Sequence, residues 1–305
     1  MSRASSHEGF RDEALRAALA AALAGKPAAL EDLLRRRGDG HGARPNLRLA
    51  AAFGAEISAL PGPAARLLDR LGGNDAAPDT ADVFLPIAAA HGWVGRLRAG
   101  REIGPAWAAL VSLAGDERAP VRLGTLDALA SFAARPGGAA ALLAQASDWL
   151  ELEDREIRFG AAAVVIEVFA DRQKLAAIAD PETLLDFLSR AMAAVAGAPR
   201  AAERSDARRR LLLALPRTLA AAAAGLRAAD RGADWLEEEC RNARQPDVRA
   251  ALSRTILTLA DKSSGQGAVL PQRLRAALEG SAKPPRDPTR IRRGAGRGRS
   301  SRPMR

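Results

Sequence analysis

The sequence has no tyrosine and few aromatic residues of any kind, since Phe and Trp together make up 4% of the 305 residues. Its hydrophobic share is nevertheless 48%. The apolar mass is therefore mostly alanine and leucine, which favour helix over strand. A chain of this length buries a large core. The composition predicts an all-α protein.

Cysteine is also nearly absent, because Cys240 is the one thiol in the chain. A single cysteine excludes an intramolecular disulfide framework and is compatible with a reducing compartment. The first residues contain no apolar stretch of the kind that a signal peptide needs. The apolar runs fall short of the ~20 residues of a membrane span. These features predict a cytoplasmic protein with no membrane partner.

Charge is unevenly distributed along the chain. The net charge is +10, but residues 281–305 hold nine basic residues against one acidic residue. The rest of the chain carries 37 basic and 35 acidic residues, so it gives no electrostatic reason to expect nucleic acid. The tail at 281–305 is rich in Pro, Gly and Arg without apolar periodicity, which predicts disorder.

Enzyme motifs are missing as well. There is no G-x-S-x-G and no P-loop, and His7, His41 and His91 are scattered without a cluster at metal spacing. We expect these histidines at exposed or loop positions. Cys240 follows three glutamates, whose negative field disfavours a thiolate. The stretch "GDGHG" from Gly38 follows no predicted strand, so we interpret it as a flexible connection. The sequence predicts no catalytic residue, cofactor, metal or small-molecule substrate.

An arginine recurs inside the most apolar helical segments. In "APVRLGTLDALASFA", Arg122 falls in the apolar sector of the helical wheel. Thirty-six residues later "EIRFGAAAVVIEVFA" repeats the arrangement with Arg158. Other segments place Arg48, Arg208 and Arg249 in the same position. In "DVFLPIAAAHGWVGRL", Phe84 replaces the arginine. The pattern indicates an internal repeat.

Each of these segments follows another apolar helical stretch. The expected first helices are 10–24 with 28–36, 63–71, 105–114, 138–150, 181–195 and 233–242. Gly, Pro and Asp separate the two members of each pair, as helix stop and start signals do. One longer unit contains "GAPRAAERS", which we interpret as a loop-like insertion. Paired helices at a period near ~40 residues predict stacked helical hairpins, because one hairpin cannot bury its apolar face alone.

The run "DERAPVR", from Asp116 to Arg122, resembles the HEAT repeat, whose second helix commonly begins with an apolar residue followed by arginine. The resemblance covers about residues 45–260. It implies a right-handed α-solenoid of about six HEAT-like hairpins at 8–280, between a disordered N-terminus at 1–7 and the basic tail.

The resemblance also implies a role for the recurring arginines. In that family the arginine pairs with an acidic residue of an inter-helix turn, often in the adjacent repeat. By that likeness the structural repeat arginines are Arg48, Arg122, Arg158, Arg208 and Arg249. The candidate acidic partners are Asp116, Asp154, Glu203 and Asp247. A buried arginine needs such a partner or a hydrogen bond.

An α-solenoid presents an extended curved surface, so the expected function is non-enzymatic binding of a macromolecule, above all a protein. The alternative is nucleic-acid binding through the tail, where "RRGAGRGR" resembles arginine-glycine segments. The contacts would come from Arg290, Arg292, Arg293, Arg297 and Arg299. The tail has no aromatic residue to stack on bases. A surface groove lined by Arg and Trp would favour nucleic acid, and a neutral or acidic groove would favour a protein.

An enzymatic form of this alternative exists, because bacterial alkylpurine DNA glycosylases are built from HEAT-like repeats. They use a Trp and an Asp one helical turn apart. Trp149 with Glu153 and Trp235 with Glu239 have that spacing, with Glu in place of Asp. A tryptophan near the end of an Ala/Leu helix is more typical of packing between helices, which is the interpretation we favour.

Overall fold

The computed structural model describes residues 12–40, 44–170, 175, 178, 180–226, 229–262 and 269–281. Within these residues the chain forms fourteen α-helices, which confirms the all-α class. The first seven are α1 (Glu13–Leu23), α2 (Ala28–Gly38), α3 (Leu47–Ala59), α4 (Ala65–Gly72), α5 (Phe84–Arg98), α6 (Ile103–Gly115) and α7 (Ala119–Ala133). The others are α8 (Gly138–Trp149), α9 (Arg155–Val168), α10 (Pro181–Ala196), α11 (Asp206–Gly225), α12 (Ala229–Asn242), α13 (Pro246–Lys262) and α14 (Val269–Gly280).

The helix starts follow local signals in the sequence. The side chains of five N-cap residues accept hydrogen bonds from backbone N–H groups of the first turn, which otherwise have no partner. These residues are Asp12, Asn46, Asp154, Asp180 and Ser205. The structure has a helix at each position where the apolar pattern predicts one.

Two connections differ from the expectation. Asp39–Gly40 and Arg44–Pro45 form two-residue antiparallel strands, β1 and β2, so the start of "GDGHG" is ordered and the interpretation as a flexible connection is wrong there. Asn46 anchors this turn, because its backbone N–H donates to the Gly38 carbonyl at 2.9 Å. The "GAPRAAERS" insertion contains a 3-10 helix at Arg200–Arg204.

The second helix of each predicted pair contacts the second helix of the next pair. These contacts run in series through α3, α5, α7, α9, α11 and α13. The first helices α8, α10 and α12 and the final helix α14 also contact one another in series. Two second helices lie deepest, since every residue from Phe84 to Arg96 in α5 and from Phe159 to Ile166 in α9 is buried. Burial from all sides explains why these helices are apolar around their whole circumference.

Small residues allow the closest contact between second helices. A Cβ atom on Gly95 of α5 would lie within 3.0 Å of the Gly54 carbonyl oxygen of α3. A Cβ atom on Gly54 would likewise come within 3.0 Å of the backbone of His91. Neither backbone can move aside as a flexible side chain could. The two glycines therefore set the distance between α3 and α5.

The turn between α3 and α4 is held by a buried ion pair that the sequence analysis did not single out. Arg96 of α5 is 1% exposed and donates to the carboxylate of Glu102. It also donates to the carbonyl oxygens of Leu60 at 3.0 Å and Gly62 at 2.9 Å. The other carboxylate oxygen of Glu102 accepts from the Ala64 N–H at 2.9 Å. This pair joins the end of α3 to the start of α4.

Several predictions fall on residues outside the described part of the chain. These are the N-terminus at 1–7, His7, His41 and the tail arginines Arg290, Arg292, Arg293, Arg297 and Arg299. Ser281, which the sequence assigns to the tail, is 7% exposed and donates to the Leu278 carbonyl at 2.7 Å. The folded part therefore includes Ser281.

Candidate functional site

Three of the recurring arginines share one hydrogen-bond pattern. Each donates from Nη1 to the backbone carbonyl six residues before it: Arg122 to Asp116 at 2.7 Å, Arg158 to Leu152 at 3.4 Å, and Arg249 to Ala243 at 3.2 Å. These carbonyls lie at the end of the preceding helix or in the turn after it. Such groups lack partners within the helix and carry its negative dipole end, which a cation stabilises. The arginines thus attach the second helix to the C-terminal end of the first.

Arg208 is the repeat arginine that pairs with an acid. Its side chain is 4% exposed, and Nη2 donates to Asp247 Oδ2 at 2.8 Å. Asp247 belongs to α13, in the next predicted hairpin. Nη2 also lies 3.4 Å from the Val195 carbonyl at the end of α10. That carbonyl is further away along the chain than in the other units because the Arg200–Arg204 helix intervenes.

The other expected acidic partners have different roles. Asp116 pairs with Arg118 at 2.6 Å instead of Arg122. Asp154 accepts from the Glu156 N–H and caps α9. Glu203 and Arg48 are exposed. Within the described residues, a repeat arginine forms an ion pair with a carboxylate only at Arg208, so a continuous ladder of such pairs is not present there.

The tryptophans that a glycosylase would need are packed between helices. The Trp107 ring meets Phe132 and Trp149 edge-on, at centroid distances of 5.5 and 6.0 Å. Trp149 is 3% exposed, whereas Glu153 is exposed. The indole N–H of Trp235 donates to Ser189 Oγ at 2.9 Å, and that hydroxyl donates to Glu239 at 2.5 Å. Both Trp–Glu pairs therefore fit the packing interpretation.

The histidine and cysteine side chains of the described residues, His91 and Cys240, are buried. His91 is 4% exposed within α5, so the expectation of an exposed or loop position is wrong. Burial and the nearby Arg98 charge lower the pKa of His91 to about 4, and its Nε2 lies 3.7 Å from Asp127. Burial, with Glu239 and Glu237, raises the pKa of Cys240 to about 12. Cys240 is therefore a neutral thiol at physiological pH.

Charged side chains converge on the exposed side of the second helices. Arg122 of α7 is half-buried; burial and the charge of Arg210 on α11 lower its pKa, while Asp116 and Glu167 oppose that shift. Burial raises the pKa of Glu167 on α9, and Arg122 and Arg217 partly offset this. We call Arg122, Arg210, Arg217 and Glu167 the arginine cluster. Arg122 is influenced by Arg210 and Glu167, and Glu167 by Arg217, and the packing of α9 against both α7 and α11 brings their helices together.

Arg210 and Arg217 of the arginine cluster have no ion-pair partner among the described residues, unlike some of the arginines near them. Arg209, next to Arg210, pairs with Asp206 at 2.5 Å, and Arg231 pairs with Glu182 at 2.7 Å. Within the described residues, neither Arg210 nor Arg217 has a carboxylate within 4.0 Å, and Arg210 Nε is buried without a hydrogen-bond partner. Two carboxylates, Asp116 and Glu167, act on Arg122, whereas Arg210 and Arg217 leave α11 with exposed positive charge on this side.

Exposed leucines adjoin these arginines. Leu213 is 68% exposed and lies between Arg210 and Arg217 on one stripe of α11, because the three residues are three and four positions apart. Leu123, next to Arg122 on α7, is 45% exposed. The sequence analysis did not identify this site. Its signal in the sequence is the spacing of Arg210, Leu213 and Arg217, which puts the three residues on one helix face.

Other surface features give weaker indications of function. A cleft of about 550 Å³ lies between α10 and the turn from α12 to α13, lined by residues such as Met192, Glu239 and Val248.

In the described part of the chain, no group of three or more His, Cys, Asp or Glu residues is arranged to hold a metal ion. No described helix is both long and apolar enough to cross a bilayer.

Comparison with known proteins identifies no relative: no protein-family model, no curated protein and no solved structure matches this chain.

Proposed function

We propose that the chain is a non-enzymatic α-solenoid of about six HEAT-like hairpins that binds a protein partner on the surface of its second helices. The serial contacts of α3 through α13 support the stacked arrangement. The equivalent hydrogen bonds of Arg122, Arg158 and Arg249 support a repeated unit. A stack of such units leaves one continuous face of second helices for a partner.

The observation that carries this proposal is the stripe of α11 on which Arg210 and Arg217, without carboxylate partners, flank the exposed Leu213. Arginine alone suits nucleic acid as well as protein, but single-stranded nucleic acid is bound largely by stacking on aromatic rings. The four tryptophans are buried or partly buried between helices rather than placed beside the cluster. Leu213, at 68% exposure, instead offers apolar area that a protein partner would bury.

Nucleic-acid binding through the basic tail remains the second candidate. Its support is the density of arginine at 281–305. The glycosylase form has less support, because Trp149 and Trp235 are packed inside the helix stack.

A photocrosslinking experiment in the source cells distinguishes these functions. A benzophenone amino acid replaces Leu213 in one variant and Ile103 in another; Ile103 is 53% exposed on the first helix α6 and serves as the matched control. We expect an adduct at position 213 that protease removes and nuclease does not, with less adduct at position 103. An adduct that nuclease removes, or none at position 213, would contradict the proposal.

A further inference from the structure

The residues of the arginine cluster stand on three neighbouring helices, with α9 between α7 and α11. Helix α9 contacts both α7 and α11, and it carries Glu167. Arg122 stands on α7 at one side, and Arg210 and Arg217 stand on α11 at the other. A ligand that lies along α9 would therefore meet positive charge from both sides. Positive charge is greatest along α11, because neither Arg210 nor Arg217 has a carboxylate within 4.0 Å among the described residues.

The apolar part of this surface limits the choice of ligand. Leu213 interrupts the positive stripe of α11 at its middle, and Leu123 adds a second exposed leucine on α7. A phosphate backbone would gain nothing from these leucines. A peptide with carboxylates and aliphatic side chains on the same face would satisfy the arginines and bury the leucines together.

We propose that the second-helix surface over α9 is the docking site for an acidic segment of the partner protein that also presents leucine-like side chains. This inference rests on the proposed function and specifies the chemistry of the partner. The expected pairs are carboxylates with Arg210 and Arg217, and an aliphatic side chain with Leu213. Charge complementarity therefore selects an acidic partner, whereas a basic peptide of the same shape would be repelled.

Glu167 weakens the binding of an acidic segment, because its carboxylate offsets one of the three guanidinium charges. Replacing it with Gln removes the repulsion and keeps the shape. One unit charge at contact distance is worth about fivefold in affinity even with the screening of bulk water. Misfolding cannot raise the affinity for the peptide. Glu167→Gln therefore tests the surface independently of the variants that are expected to weaken binding.

Fluorescence anisotropy with the full-length chain tests this proposal. The probe is a fluorescein-labelled amphipathic peptide of about sixteen residues, or roughly 24 Å of helix, built from Glu, Leu and Ala. The comparison probes are the same peptide with Lys for Glu, the same peptide with Ser for Leu, and an oligo-dT strand. The matched control variant is Arg66→Gln with Arg275→Gln, which removes the same charge from exposed arginines on the first helix α4 and on α14.

We expect the Glu/Leu peptide to bind, and Arg210→Gln with Arg217→Gln to weaken it by about tenfold or more, as the loss of two charge-assisted contacts should. Leu213→Ser should weaken it by about fivefold or more, because the leucine contact is lost. The control variant should change the affinity by less than about twofold. Glu167→Gln should strengthen binding.

Three results would overturn the proposal. The first is no binding of the Glu/Leu peptide, or equal binding of the Lys or Ser peptide. The second is binding that persists in the Arg210→Gln, Arg217→Gln variant, which would place the peptide on the basic tail. The third is oligo-dT binding that depends on the same two arginines. A protein adduct at position 213 without peptide binding would refute only this chemistry, whereas failure of both experiments would refute the proposed function too.

Discussion

Replacement of Glu102 by Gln tests how the first hairpins are held together. Arg96 is 1% exposed, and its one carboxylate partner is Glu102 among the described residues. The amide oxygen of Gln can still accept from the Ala64 and Ala65 N–H groups. Its NH₂ group then faces Arg96 in place of the second carboxylate oxygen. The guanidinium then stays buried with carbonyl partners only. Removing one partner of a buried ion pair lowers the free energy of unfolding by about 3–5 kcal/mol. Folded proteins have a total free energy of unfolding of roughly 5–15 kcal/mol, so this is a large part of it.

The matched control is Glu182→Gln, because the Glu182–Arg231 pair has side chains that are 56% and 46% exposed. Exposed pairs contribute about 0–1 kcal/mol. The assay is urea unfolding of the full-length chain followed by circular dichroism, together with hydrogen exchange of the Ala64 and Ala65 amides. We expect Glu102→Gln to lower the free energy of unfolding far more than Glu182→Gln and to speed exchange at both amides. Equal costs for the two variants would refute the reasoning.

The pH dependence of the same pair has a definite sign. Burial acts to raise the pKa of Glu102, but hydrogen bonds from the Ala64 N–H and Arg96, with the Arg96 charge, lower it below its ordinary value. A carboxylate with a lowered folded-state pKa stabilises the protein above its unfolded pKa and loses that contribution as pH falls. The difference in stability between the native chain and Glu102→Gln should therefore shrink as the solution becomes acidic.

Further predictions concern His91, Asp247 and Gly95. The pKa of His91 is about 4, below its ordinary 6.5. The free energy of unfolding should therefore fall by up to about 3 kcal/mol as pH falls from 6.5 to 4. Urea unfolding at both pH values should show a smaller fall for His91→Gln. Asp247→Asn leaves the buried Arg208 without its counter-charge and should lower the free energy of unfolding by about 1–3 kcal/mol. A double-mutant cycle with Arg208→Met should give a nonzero coupling energy between the two residues. Strictly additive effects would contradict the ion pair. Gly95→Ala forces a methyl group against the Gly54 carbonyl and should cost about 1–3 kcal/mol in thermal unfolding, whereas Gly104→Ala, with open space around it, should cost little.

The helices were predictable because their signals are local. Pro181 follows the cap Asp180 at the start of α10, and Ser205 caps α11 after the insertion. Apolar periodicity then sets which segments pair. The sequence analysis expected an exposed or loop position for His91. A single polar residue carries little weight in a helical wheel, and the burial of α5 on all sides depends on the helices around it.

The partners of the arginines were not predictable to the same extent. Asp116 lies at the spacing where a partner for Arg122 was expected, but the turn brings Arg118 closer, and Arg118 holds both carboxylate oxygens. Arg122 then bonds to backbone carbonyls, which every sequence provides at every position. A pattern of side chains cannot distinguish between these outcomes, because the turn geometry decides them.

The arginine cluster depends on tertiary structure in the same way. Helices α7 and α11, which carry Arg122 and Arg217, are neighbours only through their packing against α9. Leu213 looks like any other leucine of an apolar helix until the helices beside it are placed. The helices were therefore predictable from the sequence, whereas the exposed face emerged only from their packing.

The most direct test of the account is the crosslinking experiment at Leu213, with Ile103 as its control. The account predicts a covalent adduct at position 213 that is resistant to nuclease, removed by protease and reduced when Arg210 and Arg217 are changed to Gln. An adduct that nuclease removes, or equal adducts at positions 213 and 103, would contradict the claim that the second-helix face binds a protein.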